Sequence, residues 1–409
     1  MKIWWINPLN LLLRFIFPIY LLIFIIPFEN VGSSPYAVQN YLDLNIFFLG
    51  IIFFLFFSFG FIFSFNNLRK DPYIVEYVSP KFLSFIGITT ILAYIIWFNF
   101  LIFNPHMLID QLTGRISAYN IRKNYTTISG LTTLSQLGVL YIVLYLQNKK
   151  KLKPSIRHKT FFRLIIILTF IRSIVWSERL AIIEVIFPIA LFFFMSLEIK
   201  KTKGLMMKLV RFLPYIGIFM LLILFGFFEY FRSWSYYQKY YDNIIQFTVD
   251  RVFMYYYGAV NSAAAVLKMT HWPSLSLNSY FNWIYKFPYF GTYISNMVPA
   301  ESYGDWEVFL NRYLDPEFNN PTGFLKPYWD SGILGAILFF IIWGTISKIS
   351  YVHFKRGYGL GLYFFPIIFI SVLECLRVPY LSESRVFPVF FFSIIGYCFF
   401  TKRLRIHPI

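Results

Sequence analysis

Apolar residues in this chain come in runs of roughly 17–22, long enough to cross a bilayer core of about 30 Å as helices. Short polar or basic stretches separate the runs. The pattern predicts about ten spans, at 11–28, 46–65, 82–103, 128–147, 161–177, 180–197, 212–228, 332–352, 359–375 and 386–400. The expected fold class is an all-α polytopic membrane protein. Leu11 to Phe28 is long and lacks a small-residue cleavage site, so it reads as a retained span and not as a leader. No internal repeat is visible, which weakens a two-halved transporter reading.

The polar segments set the orientation. Segments 66–81, 148–160, 198–211, 353–358 and 401–409 carry Arg69, Lys70, Lys81, Lys149, Lys150, Lys151, Lys153, Lys200, Lys201, Lys203, Lys355, Arg356, Lys402, Arg403 and Arg405. By the positive-inside rule they face the cytoplasm. Segment 29–45 has no Lys or Arg and is external. Three units follow: residues 1–228 with seven spans, a large external loop at 229–331, and residues 332–409 with three spans. Within the loop, Val252 to Leu267 is apolar but short, and treating it as a span would move the basic C-terminus outside. It reads as an interfacial or re-entrant helix packed on the bundle.

Composition agrees. Of 409 residues, 58% are hydrophobic and only 14% charged, where a soluble domain carries about a quarter charged. The net charge of +18 sits in the segments between spans, as a cytoplasmic face requires, so it implies no nucleic-acid partner. Cys375 and Cys398 fall at opposite ends of neighbouring spans and cannot form a disulfide.

The chain carries no soluble-enzyme signature. P-loop, GxGxxG, HExxH and GxSxG motifs are all missing, and the five histidines have no ligand spacing, so no metal and no cofactor are expected. Chemistry would fall to Arg, Asp, Glu, Lys or Tyr at the external face. Arg172, Arg179, Arg232, Arg251, Arg312, Arg377 and Arg385 lie on or just inside that face. A guanidinium is planar, always charged, and grips phosphate through two parallel bonds. Arg172 and Glu184 fall inside predicted spans, where ionisable residues mark function or an interhelical ion pair. The aromatic stretch Phe227 to Tyr241 suits an interface belt or a platform for sugar faces. Pro321, Gly323 and Pro327 fix an irregular loop in NNPTGFLKPYWDSGILG (319–335), where Asp330 or Ser331 caps the next span. A general-base role for Asp330 or Glu317 requires that side chain to face the site.

About ten spans, one large external loop before the last spans, WSERLAIIEVIFP (176–188), FEYFRSWS (228–235) and NPTGFLKPYWDSGILG together resemble the bacterial O-antigen and capsule repeat-unit polymerases of the Wzy type. The likeness covers most of the chain and is strongest over 160–340. It implies a GT-C-like membrane glycosyltransferase of the bacterial inner membrane, active at the periplasmic face without a metal. Such an enzyme transfers a glycan from undecaprenyl pyrophosphate onto another lipid-linked repeat unit. The partners implied are that lipid-linked oligosaccharide, membrane lipids and a chain-length regulator protein. Carried onto this sequence, Arg179, Arg232 and Asp330 take the catalytic roles. Arg172, Arg251, Arg312, Asn320, Thr322, Gly323 and Arg377 bind substrate. Related O-antigen ligases carry a histidine in the loop that NNPTGFLKPYWD occupies, and none is present here. A flippase would show a charged cavity within a more even array of spans. A glycosyltransferase using polyprenyl-phosphate sugars would show paired acids after its first span, whereas 29–45 offers only Glu29 and Asp43, far apart.

Overall fold

The computed structural model describes residues 3–26, 39–64, 74–113, 115–116, 121, 127–128, 130–149, 152–176, 178–199, 204–288, 290–297 and 304–405. Most of segment 29–45, Arg69, Lys70, Lys150, Lys151, Lys200, Lys201 and Lys203 lie outside the described residues. The protein is predominantly α-helical. We label its longer helices α1 (Pro8–Ile25), α2 (Leu44–Phe63), α3 (Pro80–Trp97), α4 (Leu137–Lys149), α5 (Ile156–Trp176), α6 (Arg179–Ile199), α7 (Leu205–Arg232), α8 (Ile244–Met269), α9 (Lys326–Arg356), α10 (Gly361–Leu373) and α11 (Phe387–Ile395).

Six of these, α1, α2, α3, α6, α7 and α9, are long and apolar enough to cross a membrane. Helices predicted as spans at 128–147 and 359–375 differ from expectation. The first is a 3-10 turn (Thr132–Gln136) followed by α4, and both α4 and α10 have only 13 residues. At 1.5 Å per residue each is about 20 Å long, short of the bilayer core. Their apolar residues serve a different purpose, since every residue from Leu137 to Tyr145 is buried within the protein. A helix apolar all round is one enclosed by neighbours.

The longer helices pack by close backbone approach. A Cβ on Gly60 of α2 would stand 2.1 Å from the Ile341 carbonyl oxygen, and one on Gly344 of α9 would stand 2.1 Å from that of Phe57. Small residues admit such contact between membrane helices, where packing and not water exclusion drives association. Along this seam Phe53 stacks on Phe340 (4.8 Å), Phe57 meets Trp343 (5.1 Å), and Lys348 lies over Phe61 (5.0 Å). The order shows that α2 and α9 run parallel.

The two ends of the bundle are distinct. At one, strand β1 (Ile74–Val78) pairs antiparallel with β2 (Thr401–Arg405), and buried Glu76 accepts from Arg403 Nε (2.8 Å) and the Gly359 amide (2.6 Å). At the other end lie the starts of α2 and α9, the α5–α6 turn, the end of α7, and the α10–α11 connection. Across that end runs α8. Near its C-terminus Lys268 pairs with Asp43 at the start of α2 (2.8 Å), and near its N-terminus Arg251 reaches Glu229 at the end of α7 (3.6 Å). The helix has 26 residues, longer than the apolar stretch 252–267 indicates.

Candidate functional site

The α8 end of the bundle gathers acids and arginines from five segments. They form two separate networks. In the first, Arg172 near the end of α5 holds Glu178 in the following turn (2.8 Å) and donates to Ser135 Oγ (3.1 Å). Arg385 holds the other Glu178 oxygen (2.5 Å) and Glu184 of α6 (3.2 Å). Tyr380 also donates to Glu184 (2.7 Å). With its amide turned to satisfy its neighbours, Gln136 donates to Glu184 (3.0 Å) and accepts from Arg172 (3.1 Å). The result is a closed ring: Arg172, Glu178, Arg385, Glu184, Gln136. Burial alone would push the Glu178 carboxyl up, but Arg172 and Arg385 outweigh it and hold it at about 2. Beside this ring is a cavity of about 10 Å³, lined in part by Gln136, Arg172 and Glu184, room for about one water.

The second network is a chain. Arg179, the first residue of α6, pairs with Glu229 (2.5 Å), donates to the Tyr255 hydroxyl (3.3 Å) and lies over the Phe225 ring (3.7 Å). Glu229 is fully buried. Its second oxygen takes Ser233 Oγ (2.5 Å) and faces Arg251 Nε (3.6 Å). Arg251 in turn pairs with Glu317. Arg251 is 1% exposed at its side chain but Glu317 is 38% exposed, so the chain Arg179–Glu229–Arg251–Glu317 begins in the interior and ends in solvent. Tyr255 stands at its centre. It accepts from Arg179 and lies 5.7 Å under Arg251, while Arg377 is held by Glu374 at 2.7 Å.

The residues that sequence reasoning selected are thus divided. Arg179 and Arg251 share the open chain, and Arg377 pairs with Glu374 apart from it. Arg172 belongs to the closed ring. Arg232 is the last residue of α7, and its side chain lies outside the described residues, as does Ser177 of the WSER stretch. Arg312 is exposed, over the Tyr313 ring (5.3 Å), and joins neither network. Asn320 is half-buried. Thr322 is enclosed, donating to the Cys375 carbonyl (3.2 Å) and accepting from the Phe324 amide (3.2 Å). Gly323 sits where a Cβ would stand 2.5 Å from the Val378 carbonyl oxygen, so the loop meets 375–379 backbone to backbone.

Asp330 is placed differently from the general-base expectation. It is fully buried, and its carboxylate accepts from Ser274 Oγ (3.1 Å), Ser276 Oγ (2.8 Å), the Leu277 amide (2.8 Å) and the Ser279 amide (2.9 Å). With four donors from one segment on it and no exposure, the carboxylate is taken up within the protein. It pins segment 274–279 to the start of α9. Among the network acids, Glu317 has the exposure a base needs.

Sequence reasoning missed Glu229, Tyr255, Tyr380 and Glu374. Two signals were present. Tyr255 lies four residues after Arg251, hence on the same helix face. Glu229 is an acid at the end of an apolar span, where charge requires a partner. Among the described residues no cluster of His, Cys, Asp and Glu suits a metal ion. Comparison of this chain with protein-family models, curated proteins and solved structures finds no match.

Proposed function

We propose that this protein is an O-antigen or capsule repeat-unit polymerase of the bacterial inner membrane. In this reading ten helices cross the bilayer in a GT-C-like arrangement, and the α8 end faces the periplasm. Alternation of helix direction between the sheet end and the α8 end supports the count, with α4 and α10 shielded from lipid by their neighbours. The observation that carries the reading is the open chain Arg179–Glu229–Arg251–Glu317, whose solvent end pairs an enclosed guanidinium with an accessible carboxylate.

Such a pair suits a pyrophosphate-linked lipid donor. The pyrophosphate replaces Glu317 on Arg251, exchanging one anion for another in a bidentate grip. Glu317, released, accepts the proton of the acceptor sugar hydroxyl as its oxygen bonds to the anomeric carbon. The bond from that carbon to the phosphate oxygen breaks, and undecaprenyl pyrophosphate leaves with its charge against Arg251 and Arg179. A chain-length regulator would act on how many such cycles occur before release.

The test is the surface glycan of a strain lacking the protein. Loss of a polymerase leaves a single repeat unit on the lipid anchor. A surface devoid of repeat units would instead indicate a ligase or a flippase.

A further inference from the structure

Beyond the arginine chain, the geometry points to an oligosaccharide-binding platform formed by Tyr236, Lys239 and Tyr240; the assignment rests on the polymerase reading for the identity of the glycan. Tyr236 and Tyr240 are among the exposed aromatics, 56% and 45% accessible, and their ring centres stand 6.0 Å apart at 52°. The Lys239 ammonium is 4.5 Å from one ring centre and 4.8 Å from the other. Their base is fixed. Tyr237, buried between them, meets Tyr236 edge-on (4.9 Å), stacks on the enclosed Phe247 (5.1 Å) and lies under Arg251 (5.3 Å). The platform is therefore continuous with the open chain through Arg251, which pairs with Glu317.

These features fit a sugar chain better than a lipid surface. A pyranose offers a face of C–H groups that packs on an aromatic ring, while its hydroxyls need donors and acceptors around the rim. Here the rim is polar: Ser235, Gln238, Lys239 and Asp242 are all exposed. Two tilted rings at this spacing present separate faces to successive sugars, and the lysine between them supplies a donor to a hydroxyl or carboxylate. The platform holds the acceptor glycan beside Glu317, which needs the attacking hydroxyl within hydrogen-bond reach.

The experiment uses the purified full-length protein in nanodiscs. The probe is the oligosaccharide released by mild acid from the lipid-linked repeat units of the producing strain. Saturation-transfer NMR reads its binding to wild type, to Y236A/Y240A and to Y236L/Y240L. Polymerisation of the intact lipid-linked units gives kcat and KM. We expect binding by wild type, and affinity about tenfold weaker in both double variants, the factor that about 1.4 kcal/mol of lost contact produces. KM should rise by a similar factor while kcat holds. Wild-type affinity in the leucine pair would overturn the platform and leave the rings a membrane-boundary role. No saturation transfer to wild type would overturn it as well. A wild type that polymerises with KM unchanged in both variants overturns the platform alone. A wild type that binds the oligosaccharide through these rings but does not polymerise overturns the polymerase reading alone.

Discussion

Glu178 and Arg179 are adjacent in the chain yet belong to different networks: Glu178 closes the ring with Arg172 and Arg385, and Arg179 anchors the chain through Glu229 to Arg251. The turn between α5 and α6 sends one charge each way. The ring has every charge partnered within the protein, as a fastening between helices requires. The chain ends on an accessible carboxylate, as a site requires. This division yields separate expectations for residues that look alike in sequence.

Removing Arg172 or Arg385 should act on folding. Breaking one partner of a buried ion pair typically costs about 3–5 kcal/mol because the other charge is left unpaired. R172A and R385A should lower the amount of folded protein in the membrane, measured by detergent-solubilised thermal unfolding, and reduce chain length only in proportion.

Arg251 should show the opposite balance when its charge is kept. R251K retains a cation for Glu229 and Glu317 but loses the two-pronged grip. Loss of a transition-state contact of this kind costs about 2.7–4 kcal/mol, or roughly 10²–10³ in rate. Polymer formation should fall by that factor at near-normal protein level. Full chain length in R251K would take Arg251 out of the site.

Glu317→Gln tests the base. The side chain is 38% exposed and the amide keeps an acceptor for Arg251, so the loss of stability should be smaller than in R172A, whereas removing a general base slows turnover by about 10²–10⁴. KM for the lipid-linked unit should stay within a few-fold. Unchanged kcat in E317Q would eliminate Glu317 as the proton acceptor.

Asp330→Asn tests whether that residue fastens a loop. The amide keeps one acceptor but turns an NH2 toward donors, leaving buried groups unpaired at about 1–3 kcal/mol. D330N should unfold at lower temperature, with protease sensitivity appearing in 274–279 and activity falling only with the folded fraction. Activity lost at unchanged stability would return Asp330 to the chemistry.

Acid should release the ring. Glu178 lies in the turn outside both helices, and its carboxyl sits at about 2, below its ordinary 4.5. A group whose folded-state value is depressed stabilises the fold above its unfolded value and loses that contribution as pH falls toward the folded one. Thermal stability should therefore fall between about pH 4.5 and 2, and E178Q should be less stable at neutral pH but flatter across that window. Equal acid sensitivity in E178Q would show that other carboxylates set the response.

What the sequence determined by itself was the helical, membrane-type character, because runs of apolar residues have one low-energy outcome in lipid: a helix with its backbone groups bonded internally. It also marked the polar segments that meet at each end, including 66–81 and 401–409, which join as β1 and β2. Tertiary structure decided the rest. Period and hydropathy do not tell a lipid-facing helix from an enclosed one, so α4 and α10 read as ordinary spans although protein surrounds them. Nor could composition sort the arginines. Arg172 and Arg251 are each the one cation of a mainly apolar helical stretch; only the approach of Glu178 to one and of Glu229 and Glu317 to the other, from segments six to sixty-six positions away, separates fastening from site. Asp330 made the same point from the other sign of charge, since its four donors arrive from a loop more than fifty residues earlier. The pairing of buried charge is a property of three-dimensional neighbours, and a linear pattern carries no record of it.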